Sequence, residues 1–105
     1  MVHQIQNPIE MNTATFEKIE KEKISDLKFP DKEVLMDSEK IKERAAELNR
    51  ALLLGNLEHT KIKIYFEDES SRKVVETTVW GVTDKRIILK QGVVIPIIRV
   101  HQIKI

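Results

Sequence analysis

Three histidines, a Glu67-Asp68-Glu69 run and the Ser70-Ser71 pair are the groups in this 105-residue chain with any capacity for catalysis or metal binding. His3, His59 and His101 lie too far apart for a His-x-x-x-His ligand pair. The three carboxylates could offer oxygens to a divalent cation, but they lack the alternating ligands and the glycine of a calcium loop. They read as a solvated turn. Ser70 and Ser71 have no partner base in their sequence context. There is no cysteine, so no thiolate nucleophile, zinc thiolate or disulfide is available. Three glycines supply no phosphate-binding loop. The expectation is a protein that is not an enzyme and carries no metal and no cofactor.

Binding chemistry is better represented. Residues 1–59 hold 9 Lys/Arg against 12 Asp/Glu, a net −3, whereas residues 60–105 hold 9 against 5, a net +4. A basic half of this kind suits an anionic partner, although the two halves could equally attract each other. The candidate nucleic-acid-binding residues are Lys61, Lys63, Tyr65, Lys85, Arg86, Lys90, Arg99 and Lys104. Lysines would meet phosphates, and an exposed aromatic beside them would stack on a base. Tyr65 is assigned that place. Trp80, the one tryptophan, is expected in the core as its largest packing residue.

The elements that must position these groups follow from the apolar period. Residues 1–12 have none and read as a mobile end. Residues 13–36 read as an arm or short amphipathic helix plus a linker, broken at Phe29-Pro30-Asp31 because the residue before proline is driven out of the α region. Residues 37–105 form the domain proper. Asp37 or Ser38 caps a helix whose stripe is Ile41, Ala45, Leu48 and Leu52, with Gly55 as its left-handed stop. The period then becomes two. Ile62, Ile64 and Phe66 alternate with Lys61, Lys63, Tyr65 and Glu67, one set inward and one outward.

A turn at DESSR precedes a long strand, KVVETTVWGVT, in which Gly81 marks a bend. Thr83-Asp84-Lys85 turns the chain again, Gln91-Gly92 makes a tight hairpin after RIILK, and VVIPI leads through a helical turn near 98–101 into QIKI. The expected fold class is α+β: an N-terminal helix on a five-stranded, strongly bent antiparallel small barrel, with the helix over its open end.

Helix, then IKIYF, VVETTVWGVTDKRIILK, VVIPI, a turn and IKI resembles the Sm-like small barrel of Hfq-type RNA chaperones. It is also similar to the Rof family, which modulates the transcription terminator Rho. The resemblance covers residues 38–105 and lies in element order and apolar pattern. It implies single-stranded RNA, or a transcription-related protein, as partner. Where Hfq-type proteins carry a Tyr-Lys-His contact motif this chain has Val94-Ile95-Pro96, so uridine recognition is not implied. The segment VTDKRIIL is similar to a strand of bacterial pleckstrin-homology-like domains. The alternative function is a protein–protein adaptor using a sheet edge or the N-terminal arm, or a fragment of a pleckstrin-homology-like domain. Pro96 in the fourth strand favours a monomer or dimer over a ring. The N-terminus lacks the pattern of a signal peptide, and no apolar run approaches the ~20 residues that span a bilayer. A cytoplasmic, bacterial protein is expected.

Overall fold

Asp37 opens the long helix by accepting the Glu39 amide on Oδ1 at 2.8 Å. This satisfies one of the donors that a helix start leaves free. Helix α1 (Ser38–Glu58) then runs for 21 residues. The structure, a computed structural model, describes residues 15–105. The mobile end expected at 1–12 lies outside them. Gly55 does not stop the helix. His59 takes the left-handed conformation instead, at φ 55°, and its N–H donates to Gly55 O at 3.2 Å. Gly55 has a different task. It lies where α1 crosses β4 (Val79–Val82), and any side chain there would strike the Val79 carbonyl and Thr78.

The helix stripe is also turned from the expected one. Arg44, Leu48, Ala51 and Gly55 are buried, with Ile41 and Leu52 half-buried beside them, while Ala45 is exposed. Arg44 tolerates an inward position because both its Nη groups are paired. It donates to Glu33 at 2.6 and 2.7 Å and to Val100 O at 2.9 Å. With Ala45 on the solvent side, Ala45→Gln should change the free energy of denaturant unfolding by less than about 0.5 kcal/mol. A loss of several times that would return Ala45 to the interface.

Strands pair in two sheets. The first holds β1 (Glu17–Lys18), β3 (Arg72–Thr77), β2 (Ile62–Glu67) and β7 (Val100–Lys104), in that spatial order. The second holds β4, β5 (Arg86–Leu89) and β6 (Val94–Pro96). All pairs are antiparallel except β1 with β3. Among the described residues the expected five strands become seven, because the long second strand divides at Thr78 and the arm adds one of its own. The bend predicted at Gly81 appears as a register shift between Val79 and Gly81. Gln91 and Gly92 make their turn at φ 69° and 81°, and the Leu89 amide closes it on Val93 O at 2.7 Å. Trp80, expected in the core, sits in that irregular stretch of β4 and is 51% exposed.

Ile62, Ile64 and Phe66 do point inward, where they meet Val75, Val79, Ile87, Leu89 and Ile95 in one buried cluster. The arm joins it. Residues 13–27 form no α-helix among the described positions: β1 is followed by a 3-10 helix (Lys21–Asp26) that inserts Ile24 into the core. No helix among the described residues is long and apolar enough to cross a membrane.

Candidate nucleic-acid interface

The outward face of β2 decides what the basic half can do. Lys63 is exposed, between Glu76 on β3 and Lys104 on β7. Tyr65, next on that face, lies between Val74 and Gln102 but is only 3% exposed. Phe16 covers it, with ring centroids 5.2 Å apart at 85°. The same Phe16 ring stands edge-on to His101 at 5.6 Å and under the Arg72 guanidinium at 5.8 Å. Tyr65 is therefore a packing residue and offers no face to a base. The strand alternation was legible, but what covers the outer face was not. The signal was Phe16 and Ile19 in a segment whose destination only folding assigns.

Arg99 is corrected too. It is buried, donating from Nε to Glu67 O at 3.0 Å and from Nη1 to Lys32 O at 2.7 Å. That guanidinium ties the 28–36 linker to the β2–β3 hairpin and is not free to meet a phosphate. Lys85 and Arg86 are exposed, held by a turn in which Thr83 Oγ1 accepts both their amides at 3.2 and 2.9 Å. They lie at the opposite end of β5 from Lys90, about 13 Å away at ~3.3 Å per residue. The expected single basic surface is thus divided.

One part of it is concave. A cleft of about 500 Å³ opens between the arm and the β2–β3 hairpin. Lys61, Lys63 and Lys90 line it from the domain, and Lys18 and Lys21 from the arm. Its carboxylates are Glu20, Glu22 and Glu76. Lys21 is committed: its ammonium pairs with Glu22 at 2.9 Å and donates to Gln91 at 3.0 Å. The bond from Lys21 holds the Glu22 carboxyl below the usual carboxylate range. Lys18, Lys61, Lys63 and Lys90 have no ion pair among the described residues. Lys18 and Lys21 were missed because only the fold brings the arm beside β2.

Two carboxylates of the acidic run have partners within the protein. Asp68 is spent on the Ser70 and Ser71 amides and on Lys73, and Glu67 on His101 Nε2 at 2.8 Å. Among the described residues no group of three or more His, Asp or Glu side chains is placed to hold a metal ion. Compared with known proteins, the chain matches no family model, no curated protein and no solved structure.

Proposed function

We propose that this chain is a small-barrel interaction module that binds RNA through phosphates, in an RNA-related or transcription-related regulatory role. The single observation that carries the reading is the cleft lined by five lysines against three glutamates, in which Lys18, Lys61, Lys63 and Lys90 form no ion pair among the described residues. Five lysines against three glutamates leave the concavity with an excess of positive charge that an anion would offset. A polyphosphate backbone supplies that anion in series. With Tyr65 buried, no stacking platform contributes in the cleft, so binding is weak and little dependent on base identity.

The barrel assignment is part of the same reading. Its support is that β7 returns to pair with β2, that β3 and β4 are one bent strand shared between two sheets, and that a 3-10 turn (Ile97–Arg99) joins β6 to β7. That element order is the one in which the chain resembles Sm-like and Rof-like proteins. Free edge strand β6 ends in Pro96, which lacks a donor, and this favours a monomer or dimer over a ring closed by edge pairing. The proposed module is cytoplasmic and non-enzymatic.

Fluorescence anisotropy with a labelled single-stranded RNA of mixed sequence tests it. Four phosphate contacts on a single strand predict a log–log salt slope near −3, at about −0.7 per contact. Lys61→Glu with Lys63→Glu should weaken binding roughly tenfold or more, with stability nearly unchanged because both side chains are exposed. No binding at about a millimolar, beyond the usual non-specific range, would remove the RNA reading. The protein-adaptor reading would then lead. It has its own support in Met36, Leu57, Leu53 and Trp80, which are 95%, 77%, 59% and 51% exposed.

A further inference from the structure

Trp80 is the one tryptophan of the chain, and half of its surface meets water. The strand sets its direction. Val79 and Val82 both pack inward on the core, so Trp80 and Gly81 between them face outward. Gly81 carries no side chain, and Ile88 is what a Cβ there would touch. One flank of the indole is therefore open, with Ile88 and Val94 beyond Gly81 on the next two strands. Among the described residues the indole makes no hydrogen bond, ring contact or cation contact. The charges nearby favour an anionic occupant. Residues 79–96 carry Lys85, Arg86 and Lys90 against Asp84 alone. None of the three cations forms an ion pair among the described residues. The same stretch continues the cleft. Val74, Glu76 and Thr78 line it, and Trp80 stands two residues beyond Thr78, about 6.8 Å along an extended chain. The Lys90 amide donates to Thr78 O at 3.1 Å, which fixes a cleft lysine at this boundary.

We propose that Trp80 is a stacking surface for one base of a single-stranded RNA whose phosphates lie along the cleft lysines. The proposal rests on the RNA reading of the cleft and adds the base contact that the cleft itself lacks, since Phe16 covers Tyr65. A strand that leaves the cleft past Lys90 runs onto the face that carries Trp80. Its unpaired base meets the indole, and its next phosphate stays within a cationic surround. Stacking needs only a π face, which every base has, so the site separates one base from another only slightly. An apolar peptide would cover the same indole but leave Lys85, Arg86 and Lys90 without an anion. A nucleotide supplies the ring and the charge together.

Because the chain has one tryptophan, its emission reports this site alone. The full chain is titrated with a single-stranded RNA of mixed sequence, an abasic phosphodiester strand of the same length, and inorganic polyphosphate. RNA should quench Trp80 emission and shield it from acrylamide. The two probes without bases should compete with RNA for the cleft and leave the emission unchanged. Trp80→Ala should weaken RNA binding about fivefold or more, the low end of what one base–aromatic stack contributes. Its salt slope and its affinity for the two probes without bases should stay those of wild type, because no phosphate contact is lost. Trp80→Phe should recover most of the loss. If Trp80→Ala fails to fold, the wild-type emission decides alone. RNA binding that leaves Trp80 emission unchanged, or that Trp80→Ala does not weaken, overturns the stacking site and leaves the phosphate reading standing. The exposed face would then pass to the protein-adaptor reading. Equal quenching by the abasic strand overturns it as well, since no base is there to stack. Failure of wild type to bind RNA ends both readings.

Discussion

Replacing Asp68 with alanine is expected to destabilise the protein by about 3–5 kcal/mol in denaturant unfolding, the usual cost of leaving one buried charge without its partner. The Asp68 side chain is 2% exposed and that of Lys73 12%. Asp68 Oδ2 accepts the Lys73 ammonium at 2.7 Å, and Oδ1 accepts the Ser70 and Ser71 amides at 2.7 and 2.8 Å. Alanine would strand the ammonium and two hairpin amides together. Against a total stability of about 5–15 kcal/mol for a domain, that loss threatens the fold. Adding Lys73→Met should recover part of it, since a buried pair replaced as a pair costs far less than one broken. A single-mutant loss below about 1 kcal/mol would show that Lys73 swings out to water.

The same carboxylate sets an acid limit. Burial alone would raise its pKa, but the Lys73 ammonium bond, the Ser71 and Ser70 amides and the Lys73 charge outweigh it and hold the pKa below the usual aspartate range. The folded state thus prefers the ionised form. Its contribution is whole above the unfolded value near 3.9 and is lost as pH falls through the lower folded value. Glu33 acts in the same direction: burial opposes its charge, and the Arg44 bond and the Leu35 amide prevail. Wild type should lose stability as pH drops below about 4, and Asp68→Ala should show a shallower acid slope.

Gly55→Val should lower stability by about 3 kcal/mol, at the upper end of overpacking costs. Valine improves helix propensity over glycine by only a few tenths of a kcal/mol, too little to offset a collision with backbone. The obstacle is the Val79 carbonyl, with Thr78 Cγ2 3.3 Å from the new Cβ. Neither is the end of a flexible chain. Helix α1 must lift from β4, which loosens Leu48 and Ala51 in the core. Thermal unfolding should fall by more than 10 °C at about 4–8 °C per kcal/mol. Gly81→Ala is the control, since its Cβ would meet Ile88 Cδ1 at 3.5 Å and Ile88 Cβ at 3.8 Å, both ordinary contacts. Equal effects at the two glycines would mean that α1 is not seated on β4.

Local chemistry wrote much of this fold into the chain. The Asp37 cap, the inward set Ile62, Ile64 and Phe66, the Gly81 irregularity and the Gln91-Gly92 turn all depend on neighbours within a few residues, so period and turn type were enough to find them. Gly55 was misread for the opposite reason. A glycine near a helix end has two uses, a left-handed cap and a close approach, and only the position of β4 chooses between them. Arg44 entered the buried stripe because Glu33 and the Val100 carbonyl arrive from other elements to neutralise it. The candidate site divided along the same line. That the basic residues gather in the second half was plain from charge alone, because charge belongs to the residue. Which lysines stay unpaired, that Tyr65 lies beneath Phe16, and that Lys18 completes a cleft with Lys61 and Lys63 are facts of long-range contact. They exist only once the arm has docked on the sheet.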